Sequence, residues 1–273
     1  MQLTAINFHV WKYCNYQCKF CFATFEDVPL QVKRDQALAV LDALAPHEVE
    51  KITFVGGEPT LCPFLDDLIC RADELGMVTS VVTNGTRLGP LLDRCGDRID
   101  WIGLSIDSHD DEVSAALGRG TGDHVRQCVE LADRIAALGI HLKLNTVVTA
   151  LNWQEDMSEL VRRIRPERWK VFQVLPVRGQ NDGVEPLLVT AAQFQAYLDR
   201  HAHLDPVGED NAAMTGSYVM IDPAGRFFDN VDGQLAYGRS ILDVGAEAAF
   251  GDVRFERERL VARGGLYPLR PRR

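Results

Sequence analysis

An α/β chain built on a partial (β/α)6 barrel with a C-terminal extension is what this 273-residue sequence predicts. Three observations carry that prediction. Short β-rich runs recur about six times, longer stretches with helical spacing lie between them, and polar or glycine-rich clusters fall just after the runs. Alternating β and α segments imply parallel strands joined by right-handed crossovers, which excludes a sandwich. In such a barrel the functional site is expected at the carboxyl ends of the strands.

In chain order, the strands are expected over Leu3–Val10, Lys51–Val55, Met77–Thr83, Trp101–Ile106, His141–Val148 and Trp169–Leu175. Apolar stripes at helical spacing fall between them: Ala37, Leu41 and Leu44; Phe64, Leu68 and Ala72; then Val125, Val129, Ala132, Ile135 and Ala136. After Leu175 the pattern changes to a Gly/Pro/Asn/Asp loop over Pro176–Pro186. Thr190 with Gln193 forms a capping box that opens a helix. A hairpin is expected over Tyr218–Asp229, turning at Pro223-Ala224-Gly225, with a short helix near Asp243–Phe250. No repeat or linker marks a separate domain, so the expected division is a barrel over 1–175 and an extension over 176–273.

A hydrophobic fraction of 46% is enough for one substantial core. No run approaches the roughly 18 apolar residues of a membrane helix, and the first strand begins too near Met1 for a signal peptide. The cysteine count is seven, an odd number, and three of them crowd into Cys14–Cys21. That pattern argues for a reducing, cytoplasmic setting rather than a disulfide framework. A formal charge of −10 disfavours direct binding to polynucleotides or anionic membranes, while leaving room for inward-facing Lys and Arg to hold a small anion.

Cys14, Cys18 and Cys21 form C-x3-C-x2-C just after the first strand, with Tyr13, Tyr16, Phe20 and Phe22 beside them. Thiolates are the usual ligands of iron–sulfur clusters, and three of them on a four-iron cubane leave one iron open to another ligand. The alternative is a structural zinc site, but that needs four ligands, and no fourth Cys or His stands nearby at a natural spacing. Cys62, Cys70, Cys95 and Cys128 are dispersed and read as ordinary buried thiols. Gly56-Gly57-Glu58-Pro59 follows the second strand, where glycines permit a close backbone approach.

With C-x3-C-x2-C after the first strand and GGEP after the second, the chain resembles the radical S-adenosylmethionine superfamily. The resemblance implies a radical S-adenosylmethionine barrel, a [4Fe–4S] cluster on Cys14, Cys18 and Cys21, and S-adenosyl-L-methionine cleaved to a 5′-deoxyadenosyl radical. It places Gly56, Gly57 and Glu58 against the cofactor. Thr83 and Asn84 after the third strand, with Ser105 and Asp107 at the fourth, are expected to bind the cofactor carboxylate and ribose. By position alone each is more often a helix cap or turn residue.

Further segments narrow the resemblance: Asn7-Phe8-His9, Cys14-Asn15-Tyr16-Gln17-Cys18, Gly118-Arg119-Gly120, Arg168 through Gln173, Ser240 through Gly245, and Arg263-Gly264-Gly265. In order and spacing, from about Ile6 to about Tyr267, they resemble the viperin family of antiviral nucleotide dehydratases, in a prokaryotic-type form without an amphipathic anchor. The resemblance implies conversion of a ribonucleoside triphosphate, CTP, UTP or GTP, to its 3′-deoxy-3′,4′-didehydro form, a chain terminator. It implies a one-electron reductant such as flavodoxin or ferredoxin. Lys51, Arg119, Lys143 and Lys170 match the family's triphosphate positions, Asn7 and Asn145 its polar pocket, and Tyr218 its tyrosine for completing the reaction. Without the resemblance, Lys51 and Lys170 would read as solvent-facing edge charges and Tyr218 as a buried hairpin ring. A radical enzyme acting on a peptide or protein is the alternative; a recognition domain or auxiliary cluster cysteines would be expected there. Two stretches depart from the family: Ala23-Thr24-Phe25-Glu26 stands where many relatives carry His-Thr-Ala, and the chain closes in Leu266 through Arg273.

Overall fold

Residues 3–265 are described by a computed structural model of the chain. All six expected strands are present: β1 (Ala5–Trp11), β2 (Lys51–Gly56), β3 (Val78–Thr83), β4 (Trp101–Ser105), β5 (His141–Val148) and β6 (Arg168–Gln173). They lie side by side in sequence order, every pair parallel. The expected stripes fall on α1 (Arg34–Leu44), α2 (Leu65–Glu74) and, after α3 (Leu88–Cys95) and α4 (Asp111–Ala116), on α5 (His124–Ala137). The helix α6 (Ser158–Ile164) completes the crossovers. α3, α4 and α6 run only six to eight residues, too short for a periodic stripe to stand out.

The strands place alternate residues on opposite faces of the sheet. On one face, Ile6, Phe8, Ile52, Phe54, Leu142, Leu144, Trp169 and Val171 are buried in the main core beneath the helices. On the other, Asn7, His9, Lys51, Thr53, Lys143, Asn145, Arg168 and Lys170 line an interior cavity. The period-two alternation of the parallel strands therefore separates a dry outer face from a polar inner one.

The extension joins this sheet at both edges. α7 (Ala191–Arg200) opens with the expected capping box at Thr190 and Gln193. It leads to β7 (Val207–Glu209), which pairs parallel to β6, and to α8 (Asn211–Met214). β8 (Met220–Ile221) then pairs parallel to β1, and β9 (Arg226–Asp229) turns back antiparallel to it. The turn between them is the expected one, with Gly225 at φ +76°. β10 (Ala236–Ser240) adds the outer edge, giving ten strands in the order β10-β9-β8-β1-β2-β3-β4-β5-β6-β7. The expected helix near Asp243–Phe250 is two short ones, α9 (Ile241–Val244) and α10 (Ala246–Phe250), divided at Gly245 with φ +83°. α11 (Arg257–Ala262) ends the described chain. β7 and β10 escaped the sequence reading: one has three residues, and neither forms a continuous apolar run.

Phe194, Tyr197, Ile221, Phe227 and Ile241 of the extension pack into the same core as the barrel residues. A second, smaller apolar cluster joins Ala23, Phe25 and Val28, after the cysteine loop, to Met220 and Phe228 of the extension. No helix among the described residues is long and apolar enough to cross a membrane.

Candidate active site

The inner face encloses a cavity of about 1010 Å³. At its carboxyl-end mouth lies the loop bearing Cys14, Cys18 and Cys21, all free thiols lining the cavity. Backbone bonds fix this loop from two sides. Gln17 N–H donates to Gly118 O at 3.1 Å and Lys19 N–H to Leu117 O at 3.0 Å. Gly118 has φ +83°, and a Cβ there would fall 2.0 Å from Gln17 O, so only glycine fits this contact. On the other side Gly57 N–H donates to Trp11 O at 2.6 Å and Glu58 N–H to Tyr13 O at 2.9 Å. A Cβ on Gly57 would lie 2.5 Å from the carbonyl oxygens of Lys12 and Tyr13. The glycines of GGEP are thus required by the approach to the cysteine loop itself.

Glu58 and Asp107, both expected against the cofactor, are engaged by the protein. Glu58 Oε1 accepts from Thr60 N–H (3.0 Å), the Thr60 hydroxyl (2.6 Å) and the Thr83 hydroxyl (2.6 Å), and Oε2 accepts from Asn84 N–H (2.8 Å). Burial pushes its carboxyl above the usual range against these donors. Asp107 accepts from Val147 N–H at 2.9 Å and pairs with Arg119. Asn84 Nδ2 donates to Asn15 Oδ1 at 3.0 Å, tying the end of β3 to the cysteine loop. Ser105 lines the cavity at the end of β4. Arg119, which the resemblance grouped with three lysines, lies instead at this end, its guanidinium 5.6 Å from the centre of the Phe20 ring. Burial pushes the Cys18 thiol up to about 12, and the Arg119 charge acts against that rise.

The lysines form the opposite end. Lys51 is the first residue of β2, and Lys143 and Lys170 are each third in their strands, so they sit toward the amino ends. This departs from the expectation of a site wholly at the carboxyl ends. Lys51 and Lys143 both face the Trp101 ring, at 5.4 and 4.6 Å from its centre. Burial draws Lys51 down to about 8. Burial and the neighbouring Lys51 charge hold Lys143 well below the usual lysine range. Lys170 is drawn down to about 8 by burial, partly opposed by the carboxylate of Glu209.

Lys170 Nζ donates to Tyr218 OH at 2.7 Å and pairs with Glu209 at 2.7 Å, while Tyr218 OH donates to Glu209 Oε2. Arg263 lies 3.7 Å from the centre of the Tyr218 ring, pairs with Glu209 at 3.3 Å and donates to Ser217 O at 3.0 Å. Burial pushes Glu209 up, but the Lys170 and Arg263 cations outweigh it and hold the carboxyl below its usual range. Arg168 Nη2 donates to Gly264 O at 2.7 Å, latching the end of α11 onto β6. Asn7 and Asn145 line the cavity beside this floor. Ser80, Ser217 and Arg263 also line it, and Ser80 Oγ, Ser217 Oγ and Arg263 Nε are buried without a hydrogen-bond partner among the described residues.

The sequence reading left out Arg168, Arg263 and Glu209 as site residues. Arg168 was legible, because Arg168, Lys170 and Phe172 alternate onto one face of β6. Glu209 comes from a distant element with nothing local to mark it, and Arg263 was visible only as part of the Arg263-Gly264-Gly265 segment of the resemblance.

The donor set fits an iron–sulfur cluster. Among the described residues no three His, Cys, Asp or Glu side chains converge to hold a single metal ion, as a closed zinc site requires. A cubane instead takes each thiolate on a separate iron. Residues 9–165, more than half of the chain, match the Radical SAM superfamily. The chain is 44% identical to an S-adenosylmethionine-dependent nucleotide dehydratase of Flammeovirga pacifica, over 97% of this chain and 96% of that protein. It is 34% identical to S-adenosylmethionine-dependent nucleotide dehydratase RSAD2 of Siniperca chuatsi, over 98% of this chain and 79% of that one. Among solved structures, anSMEcpe with bound AdoMet and a peptide superposes with a TM-score of 0.67 at 14% identity, over 92% of this chain and 81% of that one. At that identity the likeness shows the fold alone. The chain belongs to the radical SAM superfamily and, within it, to the S-adenosylmethionine-dependent nucleotide dehydratases, enzymes that work with a [4Fe–4S] cluster and S-adenosylmethionine.

Proposed function

We propose that this enzyme converts a ribonucleoside triphosphate to its 3′-deoxy-3′,4′-didehydro form, by removal of hydrogen from C4′ and loss of the 3′-hydroxyl as water. The observation that carries this reading is the two-ended cavity, with three cysteines at one end and a floor of Lys51, Lys143, Arg168, Lys170 and Arg263 at the other. A triphosphate matches a floor where five cations gather around the single carboxylate Glu209, and arginine forks with lysine point charges suit its oxygens. A peptide substrate explains no such floor.

When bound through Cys14, Cys18 and Cys21, the cluster with S-adenosylmethionine supplies the radical that takes the C4′ hydrogen. The protein contributes geometry. Gly118 and Gly57 brace the cysteine loop, Glu58 fixes Thr83 and Asn84 at the mouth, and Arg119 with Asp107 holds the wall beside the thiols. The cation floor anchors the phosphates so that the sugar lies toward the mouth, converting an encounter into a positioned pair. Asn7 and Asn145 hold the ribose or the inner phosphate. Tyr218 completes the reaction with one electron and one proton, and Lys170 and Glu209 orient its hydroxyl. Extension residues after Leu175 close the nucleotide end, through Tyr218 and Arg263. A one-electron reductant such as flavodoxin or ferredoxin meets Cys14, the most exposed of the three thiols. The product acts as a chain terminator against viral or phage polymerases, made in the cytoplasm without a membrane or polynucleotide partner.

The test is to reduce the reconstituted protein anaerobically with S-adenosylmethionine and CTP, UTP, GTP or ATP in turn, following 5′-deoxyadenosine and nucleotide mass. One triphosphate should stimulate 5′-deoxyadenosine and lose the mass of water. Slow 5′-deoxyadenosine formation that no triphosphate alters would remove the nucleotide reading while leaving the radical enzyme.

A further inference from the structure

The six lysines of the chain divide into two sets. Lys51, Lys143 and Lys170 line the cavity floor. The other three, Lys12, Lys19 and Lys33, fall in the cysteine loop or in the segments packed beside it. Lys12 Nζ donates to Val28 O at 2.9 Å and Lys12 N–H to Gln31 Oε1 at 3.2 Å, which lays residues 28–31 along the start of the loop. Lys33 is exposed two residues beyond Gln31, past the buried Val32, and Lys19 is exposed between Cys18 and Cys21. None of these three has a carboxylate partner among the described residues, whereas the surface arginines Arg34, Arg71, Arg94, Arg163 and Arg239 each pair with one. Of the described carboxylates that line the cavity, Glu58 and Asp107 are buried and Glu26 alone is exposed. Asp27 beside it is engaged by Gln180 Nε2 at 2.7 Å and Tyr237 OH at 2.8 Å. A chain of formal charge −10 thus presents an excess of positive charge around its cysteines.

The same rim carries exposed apolar surface. Tyr13 is 59% exposed and Leu30 71%. The Trp11 ring meets Tyr13 edge-on at 5.7 Å and Phe64 at 6.2 Å, so aromatic surface runs from Phe64 through Trp11 to Tyr13. Lys12 Nζ lies 5.5 Å from the centre of the Tyr13 ring, which joins the apolar patch to the lysines. Tyr13 precedes Cys14, the one exposed thiol of the three. A cluster held there is reached by electrons from this face. The roles given above to the cavity use none of Lys12, Tyr13, Lys19, Leu30 and Lys33. Unpaired ammonium groups around an exposed aromatic ring are what the docking of an oppositely charged protein requires.

We propose that Lys12, Lys19 and Lys33, with Tyr13 and Leu30, form the docking surface of an acidic flavodoxin. Carboxylates around the partner's flavin meet the three lysines, and the flat apolar edge of the flavin meets Tyr13 beside Cys14. The aromatic patch decides for a flavin over an iron–sulfur donor, which presents no ring to stack. One electron passes from the partner's reduced flavin to the cluster; the flavin loses one equivalent, the cluster gains it, and no bond to this chain forms or breaks. The surface rests on the reductant reading above and adds which residues receive the donor and which class of donor they fit.

Oxidised flavodoxin would be titrated into the reconstituted enzyme by calorimetry, for the wild type, Lys12→Glu, Lys19→Glu, Lys33→Glu, Tyr13→Ser and Arg165→Glu. For the same set, 5′-deoxyadenosine formation from S-adenosylmethionine would be followed with reduced flavodoxin, reduced ferredoxin or dithionite. Arg165 is exposed just before β6, at the opposite end of the strands, and its reversal changes the net charge by the same amount. Each lysine reversal, and Tyr13→Ser, should weaken flavodoxin binding and raise its KM about fivefold, while Arg165→Glu and all dithionite-driven rates stay within about twofold. Raising salt from about 0.05 to about 0.5 M should weaken wild-type binding about tenfold, because exposed charges are screened there. Melting temperature and cluster absorbance report whether each variant is folded and loaded; Lys33→Glu, outside the cysteine loop, carries the test if Lys12→Glu or Lys19→Glu is not. Unchanged flavodoxin affinity in the folded lysine variants, or an equal loss in Arg165→Glu, would overturn the surface. A lower KM for ferredoxin than for flavodoxin would overturn the choice of partner. A wild type that dithionite drives and neither protein does would instead remove the reductant reading on which the surface rests.

Discussion

Lys51 shows at the scale of one residue how binding capacity is stored as instability. Its ammonium is buried near that of Lys143 and the Trp101 indole, and burial with the Lys170 and Arg168 charges outweighs its hydrogen bond to Lys143 and the charge of Asp100. In the fold Lys51 and Lys170 are drawn from 10.5 to about 8. Between these values the unfolded chain binds more protons than the folded one, so these lysines make the empty protein more stable as pH rises through that window. A polyanion needs the charged forms, so its affinity must change in the opposite sense. Tripolyphosphate should bind at least tenfold more weakly at pH 9.5 than at pH 7, as calorimetry would show. Lys51→Met should raise the melting temperature of the empty enzyme at pH 7 while weakening tripolyphosphate about tenfold, roughly 1.4 kcal/mol. A variant that melts lower and binds as well would mean that Lys51 is a structural residue.

At the scale of elements, what the sequence made legible follows from local rules. The six parallel strands announce themselves as β-rich runs whose apolar residues, facing the helices, alternate with polar ones facing the cavity, and Cys14, Cys18 and Cys21 share one loop, so their spacing is visible in a line of text. Gly56-Gly57 was legible as a close approach, though the approaching backbone is the cysteine loop. What was hidden joins elements far apart: Glu209 on a three-residue strand meets Lys170 and Arg263, and Gln180 meets Phe25 across 155 residues. Such contacts leave no periodicity, since Glu209, Arg263, Gln180 and Phe25 sit in loops or at element ends. The Gln180 contact is strong enough to test by itself. Gln180→Ala leaves the buried Phe25 N–H without an acceptor, which should cost about 1–3 kcal/mol in urea unfolding. Amide exchange at residues 23–28 should accelerate more than in β3 or β5. Uniform acceleration would mean that the clamp is not local.

The whole molecule is where the barrel and its extension must be weighed as one folding unit or two. The extension supplies both flanks of the sheet, β7 beside β6 and β8 beside β1, so a barrel without it would expose two edges. It also buries Phe194, Tyr197, Ile221, Phe227 and Ile241 in the core that Ile6, Phe8 and Val171 share. Each fully buried large apolar side chain contributes about 1.5–3 kcal/mol, so five of them are comparable with the whole margin of about 5–15 kcal/mol by which most domains are stable. Cutting at residue 175 would therefore remove about as much stabilisation as a domain holds in reserve. The full chain should unfold in urea through one transition, with far-ultraviolet dichroism and the fluorescence of its four tryptophans coinciding. The 1–175 fragment should lack cooperative unfolding. Two separated transitions, or a fragment that unfolds cooperatively alone, would make the extension an appended unit. Tyr218 and Arg263 would then meet Lys170 across an interface between separately folding parts, where the single core makes their contact a property of one fold.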